Sequence, residues 1–116
     1  MVDTILNPLP SSKRERNRYL VFELISESGT KFDMGSVSKA VWGAVLDYLG
    51  ELGASKTSLR MVDWDTKTQK GTIKVSHKSV AAVRAALALV KEIEKKAVMF
   101  HVKTVSGILK KARARI

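Results

Sequence analysis

The sequence predicts an α+β fold, and three observations lead there. Two stretches place apolar residues at three- and four-residue steps, the spacing of a helix with one buried face. Four short stretches are rich in aliphatic, β-branched and aromatic residues and are bounded by polar or Gly-containing segments, as strands are. These stretches alternate as β-α-β-β-α-β, with no internal repeat. That order is the split βαβ, ferredoxin-like plan: a four-stranded antiparallel sheet with two helices on one face.

Residues 1–12 hold Pro8, Pro10 and paired Ser, and read as a flexible leader before a single domain over 13–116. The first strand runs from Arg18 to Ile25, followed by the loop "SESGTKFDMGS". Ser36 is a fair N-cap for the first helix. Val37, Val41, Ala44, Val45, Tyr48, Leu49 and Leu52 form its apolar face, and Gly53 is a natural stop. "SLRMVDWDTKTQKGTIKVS" reads as a hairpin. Leu59 and Met61 alternate with Arg60, Val62 and Trp64, and Ile73 and Val75 with Thr72 and Lys74. The second helix spans Lys78 to Lys95, Ala-rich, with Val80, Val83, Leu87, Val90 and Ile93 inward. "AVMFHVKTV" is the fourth strand, and "SGILKKARARI" a short basic C-terminal helix capped by Ser106.

At 116 residues, the chain fits one domain with a modest core. It has no Cys, which excludes disulfides, thiolate metal sites and cysteine nucleophiles. No apolar run nears the roughly 20 residues of a membrane span. "MVDTILNPLP" lacks the charge and apolar stretch of a secretory signal, so a cytoplasmic location is expected.

The net charge is +10 and unevenly placed. Residues 1–58 hold seven Lys/Arg and seven Asp/Glu, whereas 59–116 hold fourteen and four. Such a field favours nucleic acid. Three cationic clusters stand out: Lys13, Arg14, Arg16 and Arg18 at the mouth of the first strand; Lys67, Lys70, Lys74 and Lys78; and Lys103, Lys110, Lys111, Arg113 and Arg115. In a ferredoxin-like sheet the first and fourth strands can be neighbours, so the first and third clusters would share one side. With about six phosphate contacts, affinity should fall with salt at a log–log slope of very roughly −4 to −5.

Catalytic chemistry is harder to find. His77 and His101 lie in different elements without ligand-spaced partners, and read as surface or capping residues. Asp63 and Asp65 read as a solvated edge. Neither a P-loop nor a dinucleotide fingerprint occurs, and the Gly-rich phosphate loop of small acylphosphatases is missing. An RNA-recognition motif stacks bases on aromatics of two strands. Here Thr72, Lys74 and Ser76 stand where one set would be, so an RRM-like sheet would hold RNA through phosphates and shape.

"KRERNRYLVFELIS", "KAVWGAVLDYLGELGA", "DTKTQKGTIKVSHKSVAAVRAALALV" and "TVSGILKKARAR" together resemble the archaeal ribonuclease P protein component 2 family. The likeness covers Arg16 to Arg115 and rests on order and spacing; Ile108 and Leu109 depart from it after Gly107. The resemblance implies a subunit of an enzyme that removes the 5′ leader from precursor tRNA, with cleavage performed by an RNA subunit using Mg²⁺. It implies no catalytic residue, metal or cofactor in the protein itself. Its partners would be that RNA, precursor tRNA indirectly, protein component 3, and a second copy of itself, with no membrane. Arg14, Arg16, Arg18, Lys103, Lys110, Lys111, Arg113 and Arg115 are then the expected RNA contacts. Trp42, Leu46 and Trp64, off the main apolar faces, are the expected protein interface. A chromatin-type basic protein coating nucleic acids and a small hydrolase on the same fold are the competing readings.

Overall fold

The computed structural model describes residues 16–107. The expected leader and C-terminal helix lie outside these residues, as do Arg14, Lys110, Lys111, Arg113 and Arg115. The fold is α+β: β1 (Asn17–Ser26), α1 (Met34–Ser55), β2 (Arg60–Asp65), β3 (Lys70–Ser76), a 3₁₀ turn (His77–Ser79), α2 (Val80–Ala88), β4 (Glu92–Ile93) and β5 (Lys96–Ser106). The sheet has five strands, not the expected four, in the order β2-β3-β1-β5-β4. Every pairing is antiparallel.

Strand β1 is central because it is the most apolar. Leu20, Phe22 and Leu24 point to one face and are buried. There they meet Ile73 and Val75 of β3, Val98 and Phe100 of β5, Val37, Val41 and Val45 of α1, and Val83 and Leu87 of α2. Phe22 lies 5.5 Å from the Phe100 ring and stacks at 5.9 Å on Trp64. Burying such a side chain contributes about 1.5–3 kcal/mol.

The extra strand comes from an early helix end. Helix α2 stops at Ala88, with Leu89 as its C-cap, instead of running to Lys95. Glu94 and Lys95 adopt φ of 51° and 67° and connect β4 to β5 as a two-residue hairpin. Both residues left-handed is the requirement of a type I′ turn, usually met by Asn-Gly. With Glu-Lys in that place, the helical spacing of Val90 and Ile93 reads as a longer helix. Ile93 is buried all the same, carried by β4.

Helix α1 starts two residues before the expected Ser36. Asp33 caps it by accepting from Ser36 N–H at 2.8 Å. The helix breaks at Gly50, with φ 75° and ψ 173°, rather than ending at Gly53. Two residues expected inside are exposed: Tyr48, in the last turn before the break, at 49%, and Leu52, beyond it, at 71%.

Gln69 holds the β1–α1 loop to the β2–β3 turn. It is buried, with φ 56°. Its amide N donates to Phe32 O at 3.0 Å and Thr66 O at 2.7 Å, and its amide O accepts from Phe32 N at 3.0 Å. Gln69→Ala leaves Phe32 N–H unpaired in the interior, while Phe32 O keeps its bond from Trp64 Nε1 at 3.1 Å, and a loss of about 1–3 kcal/mol is expected in urea unfolding. A loss below about 1 kcal/mol refutes that role.

The hydrogen bond from Ser36 N–H, reinforced by the Ser36 hydroxyl, holds the Asp33 carboxyl below its ordinary value of 3.8. A depressed carboxylate stabilises the fold above its unfolded pKa and loses that contribution as pH falls through its folded value. Asn caps without titrating. The stability difference between wild type and Asp33→Asn should therefore shrink as pH drops from about 5 to about 2; thermal melts across that range check it.

Candidate nucleic-acid interface

The face of the sheet opposite the helices is organised in cross-strand rows. At the end where β1 begins, Arg60, Lys74, Tyr19 and Ser106 are aligned across β2, β3, β1 and β5. The middle row is Asp63, Thr72, Val21 and Thr104; the far row is Asp65, Lys70, Glu23 and His101. Charge is therefore polarised along the strands. Lys70 lies between two acids, whereas the first row carries two cations and no acid. Arg60 and Lys74 are direct cross-strand partners of like charge, an arrangement that costs stability when nothing anionic lies over it.

Further cations gather at that end. Arg16 is exposed and immediately precedes β1. Its carbonyl accepts from His77 N–H at 2.7 Å and lies 3.1 Å from His77 Nδ1. This ties the chain before β1 to the turn that carries Lys78. The Arg18 guanidinium donates to Asn17 O and lies over Gly107, where a built Cβ would sit 3.5 Å from Nη1. Since Tyr19 pairs with Ser106, the chain enters β1 and leaves β5 side by side.

The structure thus brings Arg16 and Arg18 together with Arg60, Lys74 and Lys78. Lys103 is set apart. A β-bulge opposite Val21 and Phe22 takes it out of the ladder, and its Nζ lies 4.0 Å from Glu23 Oε1. The second cluster divides: Lys67 and Lys70 go to the charge-balanced end, Lys74 and Lys78 to the cationic one. Arg60 and Tyr19 were not singled out by sequence reasoning. Their signal was present in strand alternation, but using it required the pairing register.

The expected protein-interface residues also divide. Trp42 is 43% exposed on α1. Leu46 is half-buried and packs on the core. Trp64 is a correction. A bulge at Val62 turns it to the core face, where it stacks on Phe22, covers Gly71 and donates to Phe32 O at 3.1 Å. Gly71 has no room for a methyl group: its Cβ would lie 2.7 Å from the Trp64 ring and 2.8 Å from Asp63 O.

Among the described residues, no group of three His, Asp or Glu comes together to hold a metal, and no helix is long and apolar enough to cross a membrane. The described histidines, His77 and His101, stand on separate elements.

Comparison with known proteins identifies the lineage. The model of the Rpp14/Pop5 family matches residues 18–116. The chain belongs to that family. Among its relatives in the Rpp14/Pop5 family is ribonuclease P protein component 2 of Thermococcus gammatolerans, 38% identical over 107 residues, covering 92% of this chain and 88% of the relative. The protein of the same name from Methanosarcina acetivorans is 37% identical, covering 87% of this chain and 74% of the relative. A chain of the yeast ribonuclease MRP structure superposes with a TM-score of 0.68 at 10% identity, covering 84% of this chain and 78% of that one. This chain and that one thus share a fold over most of their length.

Glu23 and Lys103 are each about a third exposed, so their ion pair is worth under about 1 kcal/mol. Glu23→Gln should leave the melting temperature almost unchanged; a drop of more than about 5 °C refutes this.

Proposed function

We propose that this chain is a protein subunit of an archaeal-type ribonuclease P, acting in the cytoplasm in tRNA processing. In this reading it binds the catalytic RNA through the cationic end of its sheet and supports removal of the 5′ leader from precursor tRNA. The observation that carries the surface assignment is the unopposed row of Arg60 and Lys74 beside Arg16, Arg18 and Lys78. Same-sign partners held in register on a rigid sheet lose their mutual repulsion when a phosphate chain lies across them. Cations on a sheet also lose less freedom on binding than cations on a tail.

The chain's own part is then electrostatic. Its guanidinium and ammonium groups offset repulsion between RNA backbones that must pack closely, which lowers the Mg²⁺ the RNA needs to fold. Bond cleavage and its Mg²⁺ belong to the RNA. Precursor tRNA is met indirectly, and component 3 is the expected protein partner. Arg14, Lys103, Lys110, Lys111, Arg113 and Arg115 remain proposed contacts alongside the described cluster.

Reconstitution tests the reading. Adding the chain and component 3 to the cognate RNA should restore leader removal at low Mg²⁺, and the protein alone should cleave nothing. Equal affinity for duplex DNA and for this RNA at matched salt would instead favour a chromatin-type coat protein. Arg16→Ala, Arg18→Ala, Arg60→Ala and Lys74→Ala combined should flatten the log–log salt slope by about 3, at about 0.7–0.9 per phosphate contact. The same number of substitutions at Lys110, Lys111, Arg113 and Arg115 provides a parallel series. An unchanged slope in the first set removes the cationic end as the contact surface, and in the second set removes the C-terminal cations.

A further inference from the structure

The two tryptophans of this chain are used differently. Trp64 is packed on Phe22, whereas Trp42 stands outside the core cluster and is 43% exposed. Ser38 and Trp42 lie one turn apart on α1, beside the buried stripe of Val37, Val41 and Val45. That places both against β2, the last strand on its side of the sheet. Between helix and strand there is a pocket of about 270 Å³ lined by Ser38, Val41, Trp42, Leu59, Arg60, Met61 and Ile73. Among these lining residues Arg60 is the only charged one. Arg60 also pairs across the ladder with Lys74, in the row that carries two cations and no acid. The pocket therefore opens at the end of the cationic row, and one guanidinium belongs to both.

We propose that this pocket receives one unpaired base of an RNA strand, stacked on the Trp42 indole while its backbone phosphate lies on Arg60. This rests on the RNA reading above and names an unpaired nucleotide as what the cationic end selects. Bases splayed out of a helix are held by stacking on aromatic side chains and by hydrogen bonds to their edges. Trp42 offers the ring, and the Ser38 hydroxyl, donor and acceptor both, offers a partner for a base edge. Sites for drug-sized ligands run from about 300 to 1,000 Å³, so this volume suits a single planar ring system and is too small for a peptide helix. A second copy is disfavoured, because a two-fold contact through the pocket sets Arg60 against its own equivalent. The outer face of β3 offers Thr72, Lys74 and Ser76 and no ring to stack on. Base stacking is thereby moved from the face of the sheet to its edge.

The test is fluorescence titration of the full chain with a short single-stranded oligoadenylate and with a blunt RNA duplex, alongside gel shifts with the catalytic RNA. The oligoadenylate should quench tryptophan emission, since Trp42 is the indole within reach of a base. Trp42→Leu keeps an apolar side chain of high helix propensity, so the chain should fold. It is expected to abolish the quench and to weaken single-strand binding by about fivefold or more, with duplex affinity unchanged. The salt slope should stay as in the wild type, because no cation is lost. Trp42→Phe keeps a ring and should cost less than about threefold. Three results overturn the proposal: no quench by the oligoadenylate in the wild type, single-strand affinity untouched by Trp42→Leu, or an equal loss on the duplex. Altered self-association of Trp42→Leu by sedimentation, with RNA affinity unchanged, would give the pocket to a second copy and also overturn it. A wild-type chain that binds the catalytic RNA but shows any of these results loses the pocket and keeps the RNA reading; one that binds none of the three RNAs loses both.

Discussion

Antiparallel pairing of β1 with both β3 and β5 is the constraint on which the rest depends. One face of β1 gives Leu20, Phe22 and Leu24 to the core, and both helices close over them. The same pairing fixes which residues stand opposite one another on the other face. Pleating permits only two settings, and slipping one residue would bring the apolar set outward. Burial of a few side chains thus puts Lys74, Arg60 and Tyr19 on the outer face, and the ladder register sets them side by side. Core packing and surface charge are two readouts of a single register.

Much of this architecture was legible in the residues. The apolar runs around Leu20, Ile73 and Phe100 gave the long strands, because burial on one face imposes a period of two. Val37, Val41 and Val45 gave α1. The errors have definite physical causes. Val90 and Ile93 keep helical spacing, yet Glu94 and Lys95 take left-handed conformations that neither residue type favours, so a hairpin was read as a helix. Trp64 was assigned outward because strict alternation across Val62 ignores a bulge. Leu52 obeys the periodicity of α1, but the break at Gly50 ends the face on which that periodicity operates.

The candidate site was half legible. Arg16 and Arg18 could be picked from local density of charge. Arg60 could not, since one arginine in a strand carries no signal until its partner across the ladder is known. Lys67 and Lys70, dense in charge but not among the expected contacts, lie at the end that strand pairing balances. The molecule separates its surfaces by sign. Cations concentrate where β1 starts, and the acids Asp47 and Glu92 line a groove between the helices. Attraction to a polyanion therefore need not compete with a contact made on the helical side.

The bulge at Lys103 has a consequence for how this strand tolerates change. One supernumerary residue there resets the in–out parity of everything after it, so Val105 returns to the packed side and Thr104 does not. Removing a residue elsewhere between Met99 and Ser106 would turn that tail over. Removing it at the bulge would merely straighten the ribbon. Length variation in this strand is therefore confined by geometry to a single spot.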